Sequence, residues 1–360
     1  MLKWVLLATV LACGVVAGPL HAASFDCKKA KTPIEHVICS DPEATKFDAA
    51  LNTAYRSAMD QLSPEGQASL RRSELSFLSA LSIQCRPRAI PAAPGRPSQP
   101  SEVNGWCVEG AFRDRAALLS RSVGVFGGRR YFTVSNYRAR IAQIDKGDGT
   151  TDPFDVTQEV DIVQIDAPHG DAEFAWNAAM LRQAAAALKE IYEFSDDTPN
   201  EHDFDTNDYQ QVRVTMSLVG ASPDLISTVL QEDAYHYGAA HPREWSNAAT
   251  TWSFRLGRPI MANDIFDATK PWRRALQAMV EAHLKPFNPP IGSVKPYDVD
   301  RPSRWQLRAD GLYVVYIQYE LGSYLSAADA SIPWSELTPY LQQDVPFDPA
   351  EIQSVGEVIY

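Results

Sequence analysis

Cysteine runs out early in this 360-residue chain. Of its five cysteines, Cys107 is the last, and no two are spaced Cys-x-x-Cys. With no histidine cluster beside them, that spacing argues against a structural zinc site. Lysine is scarce in the second half, with four residues after position 150. Nucleic-acid binding needs clustered basic side chains, so that class is excluded. Past residue 22 there is no apolar run long enough to cross a bilayer. Gly220-Ala221-Ser222 and Ser323 lack the setting of a nucleophile elbow.

What is present begins with an export signal. Met1–Ala22 carries one basic residue, Lys3, then an apolar run from Trp4 to Leu20, and Leu20-His21-Ala22 is an acceptable cleavage site. The rival reading, a lipid attachment at Cys13, has bulky Leu11 where a small residue is wanted. The expected location is the periplasm or the exterior. Residues 151–360 hold 14 Lys and Arg against 32 Asp and Glu, a net −18, whereas 23–150 are net +5. An acidic half of this strength favours fast encounter with a basic partner. The length predicts two domains. We place a signal at 1–22, a helical domain at 23–122, a glycine-rich hinge at 123–130 and an α+β domain at 131–360.

The four cysteines left after export, Cys27, Cys39, Cys85 and Cys107, imply two disulfides in an oxidising compartment. Three pairings are open; Cys27–Cys39 with Cys85–Cys107 is preferred because it closes short loops at helix ends. Ser40-Asp41-Pro42-Glu43 and Ser63-Pro64-Glu65 read as helix starts. Phe47, Leu51, Tyr55 and Leu62 form one expected apolar stripe, and Leu70, Phe77, Leu78 and Leu81 the next. A third helix, Gly105 to Ser120, carries Trp106, Phe112, Leu118 and Leu119, and five prolines between residues 86 and 104 mark an extended loop before it. The Cys27-x11-Cys39 pair enclosing Ile34, Glu35 and Ile38, the run Phe47-Asp48-x2-Leu51-Asn52-x2-Tyr55, Glu74-x2-Phe77-Leu78, and Cys107 with Arg115 and Leu118 resemble the N-terminal domain of LprI-type lysozyme inhibitors. Here Phe77 stands where that family usually has tryptophan, and the proline-rich loop is longer.

The remainder reads as α+β. A strand is expected over Phe154–Ile165 and a long helix over Glu173–Phe194 with Phe174, Trp176, Met180, Leu188 and Ile191 inward. A meander follows over 211–219, 226–233 and 245–256, then a helix over 270–284. A hairpin is expected through Asp310-Gly311, and a short helix ending at Tyr340. The expected class is therefore α+β overall: a small disulfide-linked helical domain, then a mainly antiparallel sheet packed by two helices. Tyr237-Gly238-Ala239-Ala240-His241-Pro242, Leu256-Gly257-Arg258-Pro259-Ile260, Asp264-Ile265-Phe266, Gly322-Ser323-Tyr324 and Ile332-Pro333-Trp334 are similar to the C-terminal domain shared by RsiV, an anti-sigma factor that senses lysozyme, and PdaC-type deacetylases. The catalytic domain of the latter has no counterpart here, and neither do the membrane helix and sigma-binding segment of the former, so neither activity carries over.

No catalytic constellation emerges, and no enzyme, cofactor or metal is expected. His236 and His241 near Glu232 and Asp233 read as turn residues bonded to backbone; the acids of Asp196–Asp208 are no EF-hand and read as a solvated loop, with a weak calcium site the alternative. The two resemblances together imply a protein that binds lysozyme, or another basic cell-wall hydrolase, by occlusion. Candidate contact residues are Tyr235, His236, Tyr237 and His241 in one loop and Glu320, Ser323 and Tyr324 in another. The alternative is an envelope protein that binds peptidoglycan fragments or acts structurally. Salt discriminates the two, since a charge-steered protein complex weakens with ionic strength and sugar binding barely changes.

Overall fold

A computed structural model describes residues 23–86, 89–90, 99–100, 103–145, 149, 151–193, 209–236, 243–284, 299–316 and 328–355. The export signal, most of the proline-rich stretch and the acidic run 196–208 lie outside them.

Four helices open the chain: α1 (Pro33–Ser40), α2 (Pro42–Gln61), α3 (Pro64–Gln84) and α4 (Gly105–Arg121). Each of the first three starts on a side chain that satisfies an orphan amide, followed by a proline that has no amide to orphan. Thr32 accepts from the Glu35 amide at 3.2 Å while Glu35 accepts from the Thr32 amide at 2.8 Å. Asp41 ends α1 and caps α2, accepting from the Glu43 amide at 2.9 Å. Ser63 caps α3 through the Gly66 amide at 3.1 Å. The disulfides are Cys27–Cys39 and Cys85–Cys107, with Cα–Cα separations of 5.7 and 5.6 Å. The first ties the chain entry to the end of α1; the second ties the end of α3 to the start of α4, across the base of the proline-rich stretch.

Leu51, Leu70, Phe77, Leu81, Val108, Phe112 and Leu119 form the helical core. One expectation fails: Leu78 is 47% exposed. Leu78 follows Phe77 directly, and the turn of about 100° between adjacent helical positions carries it off the face that buries Phe77. Trp106, in the first turn of α4, is 84% exposed.

A large sheet follows in the order β3 (Val123–Phe126), β4 (Arg129–Asp145), β5 (Thr151–Ile165), β6 (Tyr209–Ala221), β7 (Leu225–His236), β8 (Arg243–Ser253) and β9 (Arg258–Pro259). Two-residue strands β1 (Ala89–Ile90) and β2 (Gln99–Pro100) pair separately. Neighbours in the large sheet are antiparallel except β5 and β6, which run parallel, with Thr157–Asp161 opposite Gln211–Thr215. Helix α5 (Asp171–Glu193) makes the crossover that a parallel pair requires. Its buried Trp176, Met180, Ala184, Ala187 and Ile191 recur at helical spacing, while Phe174 lies off that stripe and is 58% exposed.

The stretch read as a hinge, 123–130, holds β3 and a two-residue turn. Phe126 pairs with Arg129 across Gly127 and Gly128, whose φ angles are +53° and +77°. Two successive positive φ values suit the tight turn that matches strand twist. A Cβ on Gly127 would also sit 2.3 Å from the Ser222 carbonyl oxygen.

The last layer is a three-stranded sheet, β10 (Trp305–Leu307), β11 (Gly311–Tyr316) and β12 (Ala328–Pro333), packed by α6 (Trp272–Leu284). Phe266 stacks on Trp272 at 4.5 Å, and Trp305 meets Phe266 edge-on at 5.5 Å. A final two-residue strand, β13 (Gln353–Ser354), pairs with the end of β6. The Asp310-Gly311 turn stands where expected. The glycine serves a different purpose, because a Cβ there would lie 2.2 Å from the Ile332 carbonyl oxygen of β12. Mixed α+β architecture, with helices first and a mainly antiparallel sheet after, is thus what the chain adopts.

Candidate functional site

The helical part and the sheet meet along α3. Strand β3 pairs with Arg129–Phe132, and among the described residues β4 beyond that point has no strand on its outer side. Unpaired strand edges invite association unless covered. Here α3 covers this one. The Ser73 hydroxyl accepts from the Ser135 amide at 3.0 Å, and the Ser76 hydroxyl accepts from the Tyr137 amide at 3.2 Å. Both ends of α3 are pinned to β5 or the turn after it. Ser63 donates to Asp166 through its amide (2.9 Å) and its hydroxyl (2.6 Å), and Arg86 pairs with Asp155. Gly66 lets Asp166 approach, since a Cβ there would meet Oδ1 at 2.4 Å.

Beside this seam sits a cluster of charge. Arg115 of α4 is nearly fully buried. Its Nε donates to Glu74 at 2.8 Å, and one terminal nitrogen donates to the Ser135 hydroxyl (2.9 Å) and the Tyr137 hydroxyl (3.1 Å). The guanidinium lies over the Phe77 and Tyr137 rings at 5.7 and 5.2 Å. Burial opposes its charge, but Tyr137 and Glu74 outweigh that and hold it protonated. On β5, Glu159 accepts two bonds from Arg213 of β6, at 2.9 and 2.8 Å. Two residues on, Asp161 is buried and its Oδ1 has no hydrogen-bond partner among the described residues. Burial, then repulsion from Glu159, raise its carboxyl to about 7, while the Ser135 hydroxyl and Arg115 pull the other way. Burial also pushes the Tyr137 phenol well up.

Phe77, Arg115, Tyr137, Glu159, Asp161 and Arg213 line a cleft of about 570 Å³ between α3, α4 and strands β4–β6. Gln211 and Arg213 also line a smaller cavity of about 190 Å³ with Asp233, Ala234 and Tyr235. The first loop predicted as a contact therefore begins next to the cleft. Tyr235 is half-buried at the end of β7, opposite Gln211, and His236 lies opposite Tyr209. Tyr237, His241, Glu320, Ser323 and Tyr324 lie outside the described residues. Among those described, no group of three or more His, Cys, Asp or Glu side chains is placed to hold a metal. No described helix is long and apolar enough to cross a membrane.

Comparison with known proteins locates one part of the chain. Residues 27–119 match the family described as Lysozyme inhibitor LprI. The match spans roughly a quarter of the chain and covers α1 to α4 with both disulfides. Glu74, Phe77 and Arg115, residues that carry the LprI resemblance, fall within it, and Arg115 touches both of the others. Two solved structures of DUF3298-family proteins, from Bacteroides fragilis and Pseudomonas aeruginosa, are similar over 58% of this chain and 95% and 94% of theirs, at 13% and 12% identity, each with a TM-score of 0.40. No curated protein matches the chain.

The sequence reading missed Glu159 and Asp161 as a pair, and β4 altogether. A signal for Asp161 existed, in that a carboxylate interrupts the apolar run Val160-Asp161-Ile162-Val163 in a strand predicted to be half-buried.

Proposed function

We propose that this is an exported protein, periplasmic or secreted, that binds lysozyme or another basic cell-wall hydrolase and inhibits it by filling its cleft. It performs no chemistry of its own in this reading. The observation that carries it is the LprI match over residues 27–119, whose motif residues form a closed, twice cross-linked helical module. Such rigidity suits occlusion, because a preordered surface loses little entropy on docking. Trp106 supports the reading. It is the most exposed of the large apolar side chains among the described residues, at the first turn of α4 beside Cys107. Tryptophan is enriched among residues that dominate binding energy. The net −18 of residues 151–360 would draw in a basic enzyme. The RsiV/PdaC-like reading of 131–360 and a contact through Tyr235–His241 and Glu320–Tyr324 belong to the same proposal.

The test is direct binding of residues 23–360, disulfides intact, to immobilised animal-type lysozyme at low and moderate salt. A saturable complex that weakens as salt rises supports the reading. No complex with several lysozyme types removes it.

A further inference from the structure

Two exposed apolar side chains from different parts of the chain stand at one end of the molecule: Trp106 of α4 and Ile141 of β4, 84% and 48% exposed. Taking the lysozyme reading as its basis, we propose that Trp106 and the free end of the β4–β5 ribbon form one binding face, so that the helical part and the sheet grip the same basic hydrolase.

Strands β4 and β5 stay paired out to Asp145 and Thr151, but β6 joins β5 only from Thr157 inward. Among the described residues, the ribbon beyond Ala139 and Thr157 therefore has no third strand, and Gln143 and Pro153 stand exposed on it beside Ile141. A two-stranded ribbon is marginal alone and needs packing against something else. Here its base is held by Arg86, which pairs with Asp155, the residue opposite Ile141. The same arginine leads to Trp106. Arg86 follows Cys85, Cys85 is bonded to Cys107 with their Cα atoms 5.6 Å apart, and Trp106 precedes Cys107. One ion pair and one disulfide thus link the two apolar side chains, within the span of an ordinary interface of about 800 Å² a side. The row Tyr235, Gln211, Thr157 and Ala139 runs across four strands, so the predicted contact loop after Tyr235 leaves the sheet at this end too.

Local charge selects the partner. Residues 141–153 hold Asp145, Asp148 and Asp152 against Lys146, one base minus three acids, or −2. Arg138 and Arg140, nearer the base, have partners within the protein. Beside Trp106, a Cβ on Gly105 would lie 3.3 Å from Asp41 and 3.8 Å from Glu109. Desolvation, then the charge of Asp41, hold the Glu109 carboxyl above its ordinary value. Carboxylates around exposed apolar side chains suit a basic partner, because the charge steers docking and the apolar anchor supplies affinity.

Calorimetric titration with animal-type lysozyme at moderate salt tests the face, using residues 23–360 and three variants. Gln143→Arg places a positive charge on the ribbon and Glu109→Lys places one beside Trp106. Glu281→Lys does so at an exposed position of α6 in the last layer. Lysine at 109 relieves repulsion from Asp41 and Glu43, so the fold should hold, and melting curves check all three. We expect an affinity loss of at least about tenfold in Gln143→Arg and in Glu109→Lys, and of no more than about twofold in Glu281→Lys. A wild-type complex with full affinity in either of the first two variants, or with an equal loss in Glu281→Lys, would overturn the shared face and leave the lysozyme reading standing. Absence of a wild-type complex would remove both.

Discussion

The hydroxyl of Ser73 accepts the backbone amide of Ser135 at 3.0 Å, so a helix side chain occupies a place on β4 that a neighbouring strand would otherwise fill. Ser76 repeats the arrangement one turn on, at the Tyr137 amide. The LprI-matched helices are thereby fixed to the sheet through hydrogen bonds as well as through the core that Phe132 shares with them.

Removing these acceptors should loosen the seam. Ser73 is buried, so Ser73→Ala leaves the Ser135 amide unsatisfied. We expect Ser73→Ala/Ser76→Ala to lower stability by about 2–4 kcal/mol, counting about 1–3 kcal/mol for a buried orphan and less for the more open Ser76 site. Urea unfolding with matched m-values measures it. A loss under 0.5 kcal/mol, on the order of an ordinary surface change, would contradict the edge-cap account.

Arg115 and Glu74 make a buried pair whose halves depend on each other. Glu74→Gln leaves a buried guanidinium short of its counter-charge, and we expect a loss of about 3 kcal/mol. Replacing both, as Arg115→Met with Glu74→Leu, should recover most of it, because the desolvation cost goes with the pair. A double-mutant cycle decides. If the double variant is no more stable than Glu74→Gln, the pair matters for reasons other than charge.

Asp161 gives the protein a pH dependence of defined sign. Burial first, and then repulsion from Glu159, raise its folded carboxyl to about 7, above the ordinary value of about 4, while Ser135 and Arg115 partly compensate. Between those values the folded state holds a proton that the unfolded chain has released. Stability from this group is complete below pH 4 and is lost as pH rises through 7. Asp161→Asn should flatten the slope and gain at least about 1 kcal/mol at pH 8 relative to pH 5. Chemical denaturation at the two pH values reads this, and an unchanged slope would show that Asp161 is not the titrating group.

Trp106 should matter for the partner and not for the fold. At 84% exposure it contributes little to the core, so Trp106→Ala should leave the melting temperature within a degree or two. If it anchors lysozyme, affinity should fall at least tenfold, about 1.4 kcal/mol or more. Unchanged affinity would move the contact to another face.

Much of the helical part was legible because its signals are local. Asp41-Pro42-Glu43 and Ser63-Pro64-Glu65 are caps that act within one turn, and they start α2 and α3 as read. The disulfide pairing preferred because it closes short loops at helix ends is the one found, Cys27–Cys39 and Cys85–Cys107, although nothing in the spacing alone excludes the other two. Strand β4 escaped because helices cover both its exposed edge and its neighbours. Phe132, Thr133 and Ser135 are buried while Asn136 is exposed, so no clean alternation of two survives. The cleft is harder still. Glu74, Arg115, Tyr137, Asp161 and Arg213 come from five elements, and only the docking of α3 on β4 brings them together. Nothing in the sequence around Trp106 shows that the first turn of α4 leaves its ring 84% exposed.

The central claim is that the chain blocks lysozyme without chemistry, and a cell-wall turbidity assay tests it most directly. Residues 23–360 are added to an animal-type lysozyme at low and moderate salt, beside the Trp106→Ala and Tyr324→Ala variants. The account predicts stoichiometric, reversible inhibition that weakens with salt and falls in at least one variant. Full lysozyme activity across several lysozyme types, with both disulfides confirmed, would contradict it.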